Sequence, residues 1–414
     1  MTQNLSPDPE LDALVRKLNS AARSMEEAPE PAAEATASPA QPLAAGPAHG
    51  EWLPPRVSAD GHERLSRWLV AARAAGASDL LFVTGAPATV RVHGRLVPLA
   101  QEVLSPADCA ALAAALVPKE RRTALASTGT IDFSFHASGA GAFRCNVHRE
   151  RGRWSAALRL FPAGAPDLDT LNLPPTLQRF CELEHGLVLV TGPTGSGKST
   201  TLAALLRGIL ARRAVHVITI EDPVEYEHPH GGSIVEHVEI GRDAASFAAA
   251  LRSALRQDPD VLLVGEMRDR ESISITITAA ETGHLVLSTL HTGDAPQTIS
   301  RILDTYPSGQ MEAVRAQLAA SLAGIVSQQL LPAASGAGRV PAVEILFATH
   351  AVRNLVRQGK LERLRAQLAL EQAAGMWTLE QSLTQLVAQG LVDVEEARTR
   401  ARDATEFEAL LRRR

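Results

Sequence analysis

Between Leu187 and Phe347 short apolar runs alternate with stretches of helical periodicity. The runs at 187–191, 215–220, 261–264 and 285–290 read as strands, and segments at about 198–211, 246–256, 271–282 and 295–305 read as helices. That alternation predicts a parallel sheet covered by helices, an α/β fold. The pattern upstream is different. Leu65, Trp68, Leu69 and Ala72 form a helix face, followed by strands at 76–83 and 89–92. The segments 90–93 and 95–97 flank Gly94 as a hairpin. An alanine-rich helix runs from Pro106 to Leu116 behind a Ser105-Pro106 start signal. Strands at 131–135, 143–147 and 156–161 complete a small α+β domain. From His350 onward the pattern is helical.

At the other end, Leu11, Leu14, Val15, Leu18 and Ala22 fit a short amphipathic helix, too short to be stable alone. Residues 25–56, rich in Ala, Pro and Glu, have the composition of a disordered linker. The expected organisation is an N-terminal extension (1–60), a small α+β domain (61–163), a linker (164–178), an α/β domain (179–349) and a helical region (350–414).

Composition narrows the classes. A chain of 414 residues with 45% hydrophobic content suits two or three globular domains. Its net charge of −5, without a basic stripe, argues against direct nucleic-acid binding. The three cysteines, Cys109, Cys145 and Cys181, are far apart, so neither a cysteine zinc site nor a disulfide scaffold is expected. No apolar run approaches transmembrane length, and Met1 to Glu10 lacks the features of a secretory signal. A cytoplasmic location is the expectation.

The chemistry begins at Gly192-Pro193-Thr194-Gly195-Ser196-Gly197-Lys198-Ser199-Thr200, which fits the P-loop pattern G-x-x-x-x-G-K-[ST]. An apolar strand precedes it and a good helix opening follows. Glycines let the backbone wrap phosphate, and loop N–H groups with the helix N-terminus supply partial positive charge. Lys198 would reach the β- and γ-phosphates of ATP, and Ser199 would offer its hydroxyl to Mg²⁺. A P-loop names a nucleotide and not a task, so four further stretches matter. Ile218 to Tyr226 ends a strand in Glu221, Asp222 and Glu225, and carboxylates at such a strand end face the ligand crevice. Val261 to Val264 followed by Gly265-Glu266 has the form of a Walker B strand, which presents an acid to the metal. Arg268 and Asp269 fit a salt-bridged rim as well as catalysis. His284 and His291 bracket a strand. The length of that strand, more than about 20 Å, argues against a shared metal, and His291 is favoured as a phosphate sensor over a packing residue. Arg144, Arg149, Arg151, Arg153 and Arg159 cluster around the last strands of the small domain. They form either a solvated basic face or arginine fingers directed at a neighbouring subunit's nucleotide.

Taken in order, these boxes resemble the secretion-superfamily ATPases, and among them the pilus retraction ATPases of the PilT/PilU type. The resemblance covers about Leu65 to Arg398. It rests on the P-loop, on Glu221-Asp222-Pro223-Val224-Glu225, on Leu251 to Asp260 leading into Gly265 to Asp269, and on Ala279 to His284 through Leu290-His291-Thr292. It implies a PAS-like N-terminal domain, a RecA-like ATPase domain and a homo-hexameric ring. Glu225 would then be the general base, Glu266 the Walker B acid, His284 and His291 the histidine box, and Arg144 and Arg159 the arginine fingers. Glu221, Asp222 and His284 would join the P-loop in holding nucleotide, with Ser199 and Glu266 on the metal. Ala351-Val352-Arg353-Asn354-Leu355-Val356-Arg357-Gln358 is similar to the A-I-R-N-L-I-R-E segment of retraction ATPases. The implied setting is the type IV pilus machinery at the inner membrane, with a platform protein as partner. One departure is Ser78-Asp79-Leu80-Leu81, where the family has S-D-L-H. The alternatives are an accessory retraction paralogue, a pilus assembly or type II secretion ATPase and, from another class, a RecA-like nucleic-acid motor.

Overall fold

The structure is a computed structural model that describes residues 59–336 and 338–413. The expected N-terminal helix and the linker at 25–56 lie outside those residues. Chain contacts divide the molecule into two units between Ala163 and Gly164.

The first unit is built on a six-stranded antiparallel sheet: β1 (Asp79–Phe82), β2 (Pro87–Val92), β3 (Arg95–Val103), β4 (Thr130–Ala137), β5 (Gly141–Glu150) and β6 (Arg153–Leu160). Their spatial order is β3-β2-β1-β6-β5-β4. Helices Ala59–Ala74 and Pro106–Leu116 contribute Leu65, Trp68, Leu69 and Leu112 to the same core as Leu80, Phe82, Phe143 and Leu158. Trp68 and Phe82 meet with ring centroids 5.3 Å apart. The β2–β3 hairpin turns on His93 and Gly94, both at positive φ, which is the backbone of a tight primed turn. Ser105 caps the second helix in a capping box with Asp108.

The second unit contains a seven-stranded sheet in the order β13-β12-β7-β11-β10-β8-β9. It comprises β7 (Gly186–Thr191), β8 (His216–Glu221), β9 (Ile234–Glu239), β10 (Val261–Val264), β11 (Leu285–Leu290), β12 (Leu322–Pro332) and β13 (Arg339–Phe347). Every neighbouring pair is parallel except β12–β13. Strands β7, β10 and β11 are buried along their whole length, as apolar runs on both faces require. Helices Lys198–Leu210, Phe247–Ala254, Arg270–Glu281 and Ala295–Leu303 contribute to the same core. The α/β class, the small α+β domain and the terminal helices are as the sequence pattern predicts.

Three strands and the helix Met311–Ser321 are additions to that pattern. Ile234-Val235-Glu236-His237-Val238-Glu239 is too polar to read as a core strand, and it lies at the sheet edge. β12 carries Gly324, Ser327, Gln328 and Gln329, which break an apolar run, yet Ser327 and Gln328 are buried.

The helices after His350 share a core with the antiparallel hairpin. Leu331 and Val340 pack with Leu379, Leu383, Leu386 and Phe407. Two buried carboxylates lie along this packing. Glu344 on β13 accepts from Ala295 N at 2.8 Å and from Arg402 Nη1 at 2.6 Å. Glu380 accepts from Arg365 Nη2 at 3.1 Å and from the backbone N–H groups of Arg402 and Asp403 at 3.0 and 2.9 Å. Arg402 also donates to the Gly293 carbonyl. Arg353, within the Ala351–Gln358 segment, donates to the carbonyls of Ala319, Ala320 and Ala348, closing the C-terminus of helix Met311–Ser321.

Burial pushes the Glu344 pKa upward while Arg402 opposes the shift. Replacing Arg402 by Leu leaves a buried carboxylate with its charge unpaired. The expected loss at neutral pH is about 3–5 kcal/mol in denaturant unfolding. The deficit should narrow as pH falls, because protonating Glu344 removes the unpaired charge.

Candidate functional site

In a parallel sheet every strand delivers its C-terminal residue to the same edge. β7 ends at Thr191, β8 at Glu221, β10 at Val264 and β11 at Leu290. The segments that follow are the P-loop, Asp222 to Tyr226, Gly265-Glu266 and His291. Four motifs spread over a hundred residues of chain therefore converge without any long-range search for partners.

The P-loop itself is built for close backbone approach. Gly192, Gly195 and Gly197 have φ of 147°, 77° and 89°, and Gly197 stands at the N-cap of helix Lys198–Leu210 without a side-chain cap. The first-turn N–H groups are thus left for an anion. Ser196 Oγ is buried with no hydrogen-bond partner, a second sign of a cradle built for an external group. Lys198 is buried, and its ammonium donates to the carbonyls of Gly192 (2.9 Å) and Pro193 (3.1 Å). Burial lowers its pKa and the charge of Glu225 raises it.

From Lys198 a chain of polar contacts runs along the strand ends. Lys198 Nζ lies 3.4 Å from His291 Nδ1, and His291 Nε2 lies 3.3 Å from Glu266 Oε2. Glu266 pairs with Arg268, which reaches Asp222 at 3.7 Å. Burial lowers the His291 pKa, and the charges of Lys198 and Arg268 lower it further. The neutral imidazole that results accepts from Lys198 at Nδ1 and donates from Nε2–H to Glu266. It therefore links the P-loop lysine to Glu266 at the end of β10. Arg268 belongs to this ion-pair rim, whereas Asp269 caps helix Arg270–Glu281 by accepting from Ser272 N at 2.9 Å.

Glu221 faces a different pocket, lined also by Ser199, Tyr226, His228, Gly265 and Thr289. Burial lifts its pKa to about 7; the Thr219 hydroxyl opposes that rise and Glu225 adds to it. Beside it Thr200 Oγ1 and Tyr226 OH hydrogen-bond at 2.9 Å, tying the P-loop helix to the segment carrying Glu225. Ser199 and the nearby carboxylates are hard oxygen donors that fit Mg²⁺. Among the described residues no cluster of three or more His, Cys, Asp or Glu could hold a metal ion. A divalent ion here would therefore draw most of its coordination from phosphate and water.

His284 does not join this group. It precedes β11 beside Gly186, at the opposite edge of the sheet from the P-loop, and its Nδ1 bonds to the Ala279 carbonyl at 3.0 Å. The strand that separates the two histidines also separates their roles. Within this chain His284 stands at the start of the strand and His291 just past its end.

Arg144 and Arg159 lie in the first unit, directly opposite one another on β5 and β6, and so share one face of its sheet. Both are exposed, and Arg159 pairs with Asp79 at 3.3 Å. Like charges in direct register are unfavourable, and Asp79 offsets part of that repulsion at Arg159. Arg149 instead stacks on Trp154 at 4.6 Å and Arg151 sits at φ 49° in the turn, both structural positions. Tyr226, Thr201 and Gln328 also touch the P-loop region, and motif reading passed over them. Gln328 sits between Ser327 and Gln329 in a polar break of β12, and the sequence alone does not single it out.

Residues 142–399 match the family model "Type II/IV secretion system protein". The chain is 43% identical over 315 residues to the twitching motility protein of Neisseria gonorrhoeae, covering 76% of this chain and 84% of that one. It is 41% identical over 332 residues to the type IV pilus retractation ATPase PilT of Pseudomonas aeruginosa, covering 80% and 96%. Among solved structures it resembles that of the pilus retraction motor PilT with bound ADP. There the TM-score is 0.76 and the identity 45%, over 81% of this chain and 96% of the other. The chain belongs to the type II/IV secretion system protein family.

The raised pKa of Glu221 predicts a pH signature. Its folded value, about 7, exceeds the ordinary 4.5, so its neutral form favours the fold and that advantage is lost as pH rises through 7. Glu221→Gln should therefore gain stability relative to the parent between about pH 4.5 and about pH 8, by up to about 3 kcal/mol. Parallel denaturation curves at both pH values measure the difference.

Proposed function

We propose that this chain is an ATPase motor for type IV pilus retraction, hydrolysing ATP on the sheet edge described above. The observation that carries the reading is the unbroken chain Lys198–His291–Glu266–Arg268–Asp222, which links a P-loop to three strand ends. The family and the named relatives supply the output, mechanical work on a pilus.

In this reading the P-loop N–H groups and Lys198 bind the phosphates. On binding, Lys198 exchanges its contacts with the Gly192 and Pro193 carbonyls for phosphate oxygens. Mg²⁺, held through the Ser199 hydroxyl and oriented by Glu266, would neutralise charge that develops on the phosphates. Glu225 takes the proton from the attacking water. His291, neutral and linked to both Lys198 and Glu266, senses whether the γ-phosphate is present. Arg144 and Arg159 are permanent cations side by side, suited to reach the nucleotide of a neighbouring copy in a homo-hexamer. Hydrolysis would withdraw their anionic partner, so ring geometry would follow nucleotide state. No described helix is long and apolar enough to cross a membrane, and work on a membrane-embedded pilus base would pass through a platform protein. The proposed location is cytoplasmic, at that base.

Glu225→Gln and Glu266→Gln should each lower ATP turnover at least about 100-fold while ATP binding persists, since each removes charge and not the phosphate cradle. Full turnover in both variants overturns the roles. In cells, deletion should leave pili assembled and abolish twitching. Normal retraction in the deletion strain overturns the function. Complementation of a strain lacking its principal retraction ATPase separates a principal motor from an accessory paralogue, and loss of pili on deletion would indicate assembly.

A further inference from the structure

One buried side chain touches the P-loop at two points and belongs to none of the motifs. Gln328 lies on β12, the strand beside β7, and is buried. Its Nε2 donates to the Ser196 carbonyl at 2.7 Å, and its Oε1 accepts from Thr201 Oγ1 at 2.8 Å. The two contacts bracket Lys198 and Ser199. The β7–β12 ladder pairs Ser327 with Thr191, so Gln328 stands one step past the point where the strand becomes the loop. Ser327 reinforces that end by accepting from Thr191 Oγ1 at 3.0 Å.

The loop's glycines are shaped to the same residue. A Cβ on Gly192 would collide with the Gln328 carbonyl oxygen, and one on Gly197 would come within 2.8 Å of Nε2. A carboxamide of this length offers one donor end and one acceptor end, matching a carbonyl and a hydroxyl together. Glutamate can only accept, and leucine does neither.

We propose that Gln328 is a positioning residue for nucleotide binding and turnover. Its amide pins both shoulders of the P-loop, fixing the curvature that aims the loop N–H groups, Lys198 and Ser199 at phosphate. Its role is to keep the cradle formed before nucleotide arrives, which removes an ordering cost from binding. The inference rests on the ATPase reading above.

The test uses the full chain with steady-state ATP hydrolysis, titration with a fluorescent ADP analogue, and melting of the nucleotide-free protein. Absence of wild-type hydrolysis and binding would defeat the ATPase reading and this inference with it; the variants test the inference alone. Gln328→Leu should melt within a few degrees of wild type, yet weaken ADP-analogue binding and raise KM by about tenfold. Thr201→Val, which removes one of the two contacts, should weaken binding by about threefold. The double variant should be no weaker than Gln328→Leu, because the contacts act through one amide. Gln328→Glu should also weaken binding by at least about tenfold, since it replaces the donor to Ser196 with a negative charge facing a carbonyl. A folded Gln328→Leu with wild-type binding and KM overturns the proposal. A loss of binding that only tracks a fall in melting temperature, with Thr201→Val silent, overturns it equally. Should Gln328→Leu fail to fold, Gln328→Glu and Thr201→Val decide, and wild-type binding in both overturns it.

Discussion

Parallel strands can end only on one side, and this constraint organises the second unit. β7, β8, β10 and β11 run in one direction, so a phosphate loop, an acidic box, a Walker B acid and a histidine arrive at one edge whatever lies between them in sequence. The same rule places His284 on the opposite edge, although it stands beside the same strand as His291. A motif that reads as a pair in sequence thus becomes two separate devices. One is an electrostatic link between Lys198 and Glu266, and the other is a local cap on the Ala279 carbonyl.

Charge at that edge is arranged so that each group decides its neighbour's state. His291 stands beside Lys198 and close to Arg268, and burial adds to their effect in keeping it neutral. A protonated imidazole would repel the phosphate lysine and lose its acceptor nitrogen. Burial disfavours the charged form of Glu221 as well, which for a carboxyl raises the pKa, and the neighbouring Glu225 adds to the rise. Among these strand-end carboxyl groups, Glu266 and Asp222 are paired with Arg268, while Glu221 is an acid poised near neutrality. The distinction follows from which strand end faces which charge.

The sequence was most legible where its period was unbroken. The boundaries of β10 and β11 coincide with their apolar runs, and the helix Pro106–Leu116 coincides with its capping signal and alanine content. The P-loop, Glu266 and His291 were readable because glycine spacing and strand ends leave strong marks. β9 was not, since it is a polar edge strand held by pairing with β8, and β12 was not, since Ser327 and Gln328 are buried against its pattern. Gln328 is buried because a loop's backbone needs its amide, and nothing local to β12 announces that need. The role of Tyr226 as a tie to Thr200 was hidden for the same reason, being a contact between residues 26 positions apart. Arg144 and Arg159 were visible as positive charge, but their face-to-face register became visible only with the sheet.

The Arg402 guanidinium holds the Gly293 carbonyl, two residues beyond His291, while the backbone at 402 and 403 is locked to the buried Glu380. The terminal helices are therefore tied through Arg402 to the loop that follows His291. The same guanidinium donates from its other nitrogen to Glu344 on β13. One cation thus joins the loop after β11, the buried face of β13 and the terminal helices, so that a single substitution at Arg402 would loosen three parts of the unit together.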